Sequence, residues 1–386
     1  MSNSLSINKS IVYVLVFLFT LHITPATYVN SSFLGEFVQE SSIGIVFSIA
    51  SIVTIIGFFY IRKVLRKIGN YKTTILMIFL ELATLLLMAF VDVGSVVIIA
   101  YIIGFTCRSL IYFNLDVFLE NMTSNESTGG IRGIFLTSLN MAFLIGPFIA
   151  SLVMKDHDFW KIYLISSFLL LPVLYILIRY LRRFEDSTYE HVDIFKTAKR
   201  VYDHCNFYGI FVSAFLLRFF YSWMVIYTPI YLNQHIGFSL SETTMIIGIA
   251  LIPFVLLEAL LGWLADKKVG EKEILTAGFI ITAGATAIMS FVSLPNIILW
   301  SAILFTTRIG ASMIEVMTET YLFKKIDSED IDVLSLFRMV RPVAYIFGPL
   351  LASFLLTFID FKYLFLILGS IVLYGIRYSL AIRDTR

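Results

Sequence analysis

Arg108, Arg218, Arg308, Arg338 and Arg341, with Glu81, Asp116, Glu120, Glu258, Glu315 and Glu319, lie inside stretches that are otherwise apolar. Charges in such surroundings are expensive, and they face a cavity, a partner or water. Three kinds of chemistry suit them: holding a polar solute, carrying a proton, or locking a conformation by pairing. Asp116 and Glu120 are spaced i, i+4, as are Glu315 and Glu319, so each pair shares a helix face. Hydrolytic or metal chemistry has no such support. The five histidines are scattered without metal-ligand spacing, and Cys107 and Cys205 form no C-x-x-C pair. No metal, no cofactor and no enzymatic activity are expected.

The elements that position these charges follow from composition. The chain is 59% hydrophobic and 15% charged, where soluble domains carry about 25% charged residues. Its solvent is expected to be lipid. A net charge of +2 offers no basic surface for nucleic acid. A spanning helix needs about 20 apolar residues, and the sequence supplies runs at 11–29, 42–61, 73–91, 95–118, 131–153, 160–181, 207–231, 242–264, 273–291, 296–320, 332–357 and 361–382. The first run is read as a span, not as a cleaved signal peptide. The expected fold class is therefore all-α, a membrane protein of twelve transmembrane helices. Of the 29 Lys and Arg residues, only Lys155, Lys161 and Lys362 fall in outer loops. By the positive-inside rule both termini are cytoplasmic, in a cell (plasma or inner) membrane.

The chain is written twice. "GPFIAS" at 146–151 recurs as "GPLLAS" at 348–353, Arg108 as Arg308, and Asp116/Glu120 as Glu315/Glu319. "KIGN" at 67–70 answers "KVGE" at 268–271, and "ITPATYV" of the first span answers "IYTPIYL" of the seventh, all at offsets of 199–204. Ordered matches at one offset mark an internal repeat. Residues 1–183 and 206–386 are then two six-helix bundles, joined by a cytoplasmic linker at 184–205 whose stretch "IFKTAKRVY" could form a surface helix. Six spans per half keep both halves in the same orientation. Such parallel repeats suit alternating access around a site near midplane.

Depth sorts the charges. Arg108 and Arg308 lie about 18–20 Å from the outer ends of their spans at 1.5 Å per residue. A substrate cavity is expected to draw on Arg108, Tyr112, Asn140, Arg218, Tyr221, Trp223, Tyr227 and Arg308, with the arginine excess favouring a polar or anionic solute. Arg108 and Arg308 could instead be pinned to backbone carbonyls. Glu258 is the expected proton carrier, its alternative being a fixed ion pair. Asp116, Glu120, Glu315 and Glu319 read as a cytoplasmic latch against the basic loops, Arg338 and Arg341. Gly146, Pro147, Gly348 and Pro349 mark helices that bend. Glu81 is placed on an outer helix and receives no role.

After span 8, "GWLADKKVGEK" resembles the loop signature of the major facilitator superfamily of secondary transporters. Gly262, Leu264, Ala265, Asp266 and Lys267 fit it position by position, while Gly270 arrives one residue late and Glu271 replaces a basic residue. The resemblance implies that Asp266 gates, with Lys272 and Glu319 as relay partners. The first-half loop keeps Gly69 but has Leu65 at the place of the acid. "GPFIAS" resembles the span-5 motif of drug/proton antiporters. The implied activity is proton-coupled efflux of amphipathic compounds by a monomer. Proton-coupled uptake of a polar or anionic solute is the alternative, and a non-transporting receptor or scaffold is a third reading. The expected partners are a small-molecule substrate, protons and the lipid bilayer. With Cys107 and Cys205 replaced by serine, single cysteines at Ser4 and Thr385 should resist an impermeant maleimide in intact cells. One at Lys155 should label.

Overall fold

The computed structural model describes residues 9–120, 128–154, 158–182, 184, 194–203, 205–267, 270–325 and 331–382. Among them no strand occurs. In hydrocarbon a helix satisfies its own backbone, which is why apolar runs of this length become helices. The first half contains α1 (Lys9–Thr27), the short α2 (Asn30–Leu34), α3 (Glu40–Ile68), α4 (Asn70–Phe90), α5 (Gly94–Glu120), α6 (Thr128–Val153) and α7 (Phe159–Tyr180). The linker stretch folds as α8 (Ile194–Asp203). Then come α9 (Cys205–Ile230), α10 (Leu240–Lys267), α11 (Glu271–Ile288), α12 (Ile297–Lys325), α13 (Ile331–Leu355), α14 (Tyr363–Leu373) and α15 (Gly375–Ala381).

Ten described helical stretches are long and apolar enough to cross a membrane. The shorter apolar stretch Ser138–Val153 and the arginine-bearing α13 occupy the two remaining expected positions. Two details differ from expectation. The seventh span runs on past residue 231 through a π-helical turn, Tyr231–Ile236, which closes at Gly237 with φ 94°. The twelfth is broken at Tyr374 into α14 and α15. Large apolar side chains point outward, as with Leu152 at 87% exposure and Ile298 at 80%. Outward apolar surface is what a lipid solvent favours.

The chain forms two compact units. One comprises residues 1–37 and 49–190, the other 38–48 and 191–386. In the first unit α1 packs against α5, α6 and α7, and α4 against α5 and α7. In the second, α9 packs against α12, α13, α14 and α15, and α11 against α12, α14 and α15. The partnerships repeat: α1 with α6 corresponds to α9 with α13, and α4 with α5 to α11 with α12. The opening of α3 folds with the second unit, where Ser48 Oγ donates to the Ile346 carbonyl at 2.9 Å.

The duplicated glycines show the repeat at backbone level. Gly69 precedes α4 with φ 81° and ψ 162°, and Gly270 precedes α11 with φ 96° and ψ 162°. That region is essentially closed to other residues. Each turn reverses the chain between two spans in the same way.

The Gly-Pro pairs sit at close helix crossings. Thr24 Oγ1 of α1 donates to the Ala142 carbonyl of α6 at 3.0 Å. A methyl group on Gly146 would overlap Thr24 Oγ1 and Cβ and lie 2.7 Å from its carbonyl carbon. In the second unit, Trp223 Nε1 donates to the Gly348 carbonyl at 2.7 Å and Tyr227 Oη to the Pro349 carbonyl at 3.0 Å. A methyl on Gly348 would overlap only the rotatable Ser222 Oγ, with Ser222 Cβ at 3.3 Å. Small residues at such crossings let backbones approach. Gly146→Ala should therefore lose about 1–3 kcal/mol of stability, and Gly348→Ala clearly less, as read by thermal unfolding in detergent. Equal losses would contradict the crossing geometry.

Candidate functional site

In the first unit, three elements bring together His22 from α1, Glu81 from α4 and Arg108 from α5. Arg108 Nη1 donates to Glu81 Oε1 at 3.0 Å. His22 Nε2 lies 3.7 Å from the same oxygen, and the His22 and Glu81 side chains have no exposed surface. Arg108 retains 10%. His22 Nδ1 bonds the Phe19 carbonyl one turn back. Local sequence permits the approach of α4 and α5. A methyl on Gly104 would lie 2.8 Å from Thr84 Oγ1, so the glycine lets the helices close and Arg108, one turn on, reach Glu81. The Arg108 guanidinium also lies 5.9 Å from the Tyr101 ring centroid. Tyr112 Oη donates to Thr20 Oγ1 at 2.9 Å beside this cluster.

Glu81 thus corrects two sequence expectations at once. It is the buried partner of Arg108, not an outward-facing acid, and Arg108 is held by a carboxylate. His22 went unnoticed because a lone histidine in an apolar run has no spacing signature. Its mid-span position was the available signal.

The second unit holds a different cluster. Arg218 Nη1 of α9 lies 2.8 Å from Glu315 Oε1 of α12, and Arg218 Nη2 lies 3.7 Å from Glu319 Oε1. Tyr221 Oη donates to the other Glu315 oxygen at 2.8 Å. Arg218 and Glu315 keep 22% of their side-chain surface and Glu319 keeps 28%. Arg308, buried, places its guanidinium 5.3 Å from the Phe220 ring centroid. The i, i+4 spacing does put both acids on one face, where both meet Arg218 of α9. Arg338 and Arg341 are exposed, Arg341 lying 5.8 Å from the Tyr345 ring centroid.

Two expectations for the cavity change. Trp223 and Tyr227 are fully buried in the α9–α13 crossing, so they join helices and line no open surface. The electropositive excess also disappears, since Arg108 and Arg218 each face a carboxylate. Tyr112, Asn140, Asp116 and Lys272 are half-buried. Gly262 and the side chains of Glu120, Glu258, Asp266 and Lys267 lie outside the described residues. Among the described residues no cluster of three or more His, Cys, Asp or Glu could hold a metal.

The architecture has a counterpart among known families. The profile of the Major Facilitator Superfamily matches residues 9–329, and matches again over 210–383. The chain belongs to the Major Facilitator Superfamily. The second match restarts near the seventh span, as a duplicated superfamily fold requires. No curated protein matches the sequence significantly. Among solved structures, a crystal structure of a mutant of the nucleoside transporter NupG is similar with a TM-score of 0.75 at 12% identity, covering 97% of this chain and 99% of that one. At that identity the likeness shows the fold. It is a multi-pass membrane protein of a transporter family.

Removing one partner of a buried pair strands the other charge, at about 3–5 kcal/mol. Arg108→Gln should lose about that much in a denaturation assay in detergent, and Arg108→Gln with Glu81→Gln should recover most of it. A double variant no more stable than the single one would mean that the pair does not carry the contact.

Proposed function

We propose that the chain is a proton-coupled secondary transporter, working by alternating access on a small solute without net charge. The observation that carries this reading is the absence of a cation excess among the described charges inside a superfamily transporter fold: Glu81 offsets Arg108, and Glu315 with Glu319 offset Arg218 and the nearby Arg308. A balanced polar site gives an anion no net attraction, while a hydroxyl- or amide-bearing solute can exchange hydrogen bonds with Arg218, Glu315 and Tyr221. Their partial exposure leaves these groups able to meet a solute.

Efflux of amphipathic compounds is the direction supported by the resemblance of "GPFIAS" to the antiporter motif. The same Gly-Pro forms a helix crossing in the second half as well, so the pair belongs first to the architecture. Uptake of a polar solute is the second reading, and the likeness of the fold to a nucleoside transporter goes with it. In either case both termini face the cytoplasm, and Asp266 gates the loop after α10.

The test is flux in proteoliposomes with an imposed pH gradient, using a nucleoside, a lipophilic amphipathic drug and a sugar phosphate. Flux of the first or second that reverses with the gradient is expected, with none for the sugar phosphate. Gradient-driven flux of the sugar phosphate alone would overturn the charge-balance argument.

A further inference from the structure

We propose that His22, Glu81 and Arg108 form a proton-binding site in the first six-helix half, with one proton shared between His22 Nε2 and Glu81. Its part in coupling rests on the transport reading above, whereas proton binding itself does not.

The tautomer is set by the partner of Nδ1. The Phe19 carbonyl can only accept, so Nδ1 carries the hydrogen. A neutral imidazole then presents Nε2 as a bare lone pair. What it faces is Glu81 Oε1, another acceptor, at 3.7 Å. Neither His22 Nε2 nor Glu81 Oε2 has a hydrogen-bond partner among the described residues. Gly104 keeps the flank of Oε2 open, since a methyl there would come within 3.2 Å of it. Two acceptors thus converge in a dry site where a donor is missing, and a proton is the smallest donor that fits.

Proton uptake adds H⁺ to the Nε2 lone pair and breaks no bond. Nδ1–H stays on Phe19, and the new Nε2–H points at the Glu81 carboxylate. With Arg108 positive and Glu81 negative, the cluster passes from no net charge to +1. The other titratable groups around it are Tyr101, Cys107 and Tyr112 of α5 and Tyr163 of α7. The described residues 138–153 of α6 bring none. Phenols and thiols are ordinarily uncharged at neutral pH, so none of these balances the added charge. A buried, uncompensated charge is costly. The loaded cluster therefore favours a conformation that hydrates it, and the empty one favours the dry arrangement seen here. That difference biases a two-state equilibrium.

The site exists once in the chain. At the repeat offsets Ile226 stands for His22 and Thr282 for Glu81, and of the three only the arginine recurs, as Arg308. As the coupling site it takes up one proton per cycle.

The full chain labelled with ¹⁵N-histidine, in nanodiscs, gives the direct readout. The His22 signal is assigned by its loss in His22→Gln and followed from about pH 5 to 8. It should titrate as a single proton, with a midpoint moved at least tenfold in proton concentration by Glu81→Gln and largely kept by Glu81→Asp. A His22 signal that never titrates in the wild type overturns the site, as does an unchanged midpoint in Glu81→Gln. If Glu81→Gln does not fold, the wild-type titration still decides. In proteoliposomes His22→Gln should lose gradient-driven accumulation but keep solute exchange. Gradient-driven accumulation unaffected by His22→Gln would overturn the coupling role. Absence of any wild-type flux would sink the transport reading alone and leave the NMR result standing.

Discussion

Hydrocarbon offers a buried charge no water, so each charge must find its compensation within the protein or remain near an aqueous surface. That single constraint orders much of what is seen. Arg108 draws α5 to α4 through Glu81, and Arg218 draws α9 to α12 through Glu315 and Glu319. Arg308, lying over the ring of Phe220, brings α12 to α9 by a weaker version of the same need. Apolar packing alone has little preference between lipid tails and leucines. Polar pairs and close glycine crossings therefore do more here to choose helix neighbours than they would in water.

The duplication separates what is scaffold from what is chemistry. The turns at Gly69 and Gly270 have the same unusual backbone geometry, and the Gly-Pro crossings recur between corresponding helices. The charged positions recur in part, Arg108 as Arg308 and Asp116/Glu120 as Glu315/Glu319, but their pairings differ. The first half buries a histidine with its ion pair, while the second presents a half-exposed arginine between two acids and a tyrosine. A shared frame thus carries two different polar sites, one an arginine paired with a single acid, the other an arginine set against two with Arg308 nearby.

Most of the frame was legible in the sequence because it depends on length and periodicity. Runs of apolar residues set the spans, and the offset matches pair helices that pack alike, α1 with α6 and α9 with α13 among them. The linker helix was legible too, in "IFKTAKRVY". What could not be read was the direction in which a side chain points within an apolar helix. In α4 the signal was a sparse polar stripe, Asn70, Thr73, Thr74, Glu81 and Thr84 at helical spacing and all buried, easily lost in so apolar a run. Trp223 and Tyr227 were misjudged for a related reason, since an aromatic residue with a polar tip suits a cavity wall and a helix crossing equally well. Only the acceptors they meet, the carbonyls of Gly348 and Pro349 on α13, decide between them. The extension of the seventh span through a π turn also escaped, and its side chains there stack on a residue far off in sequence. Tyr231 lies on Phe361 at 5.7 Å, and His235 lies 4.6 Å from the same ring.

The hydrogen bond from Trp223 to the Gly348 carbonyl joins an indole to the helix that carries the second Gly-Pro pair. Indole emission responds to the polarity and hydrogen bonding of its surroundings, and this indole has no exposed surface in the present arrangement. Any displacement of α13 along α9 would lengthen that bond or admit water to it. With the other three tryptophans, Trp160, Trp263 and Trp300, replaced by phenylalanine, this indole would become a dye-free optical reporter on one of the helix crossings.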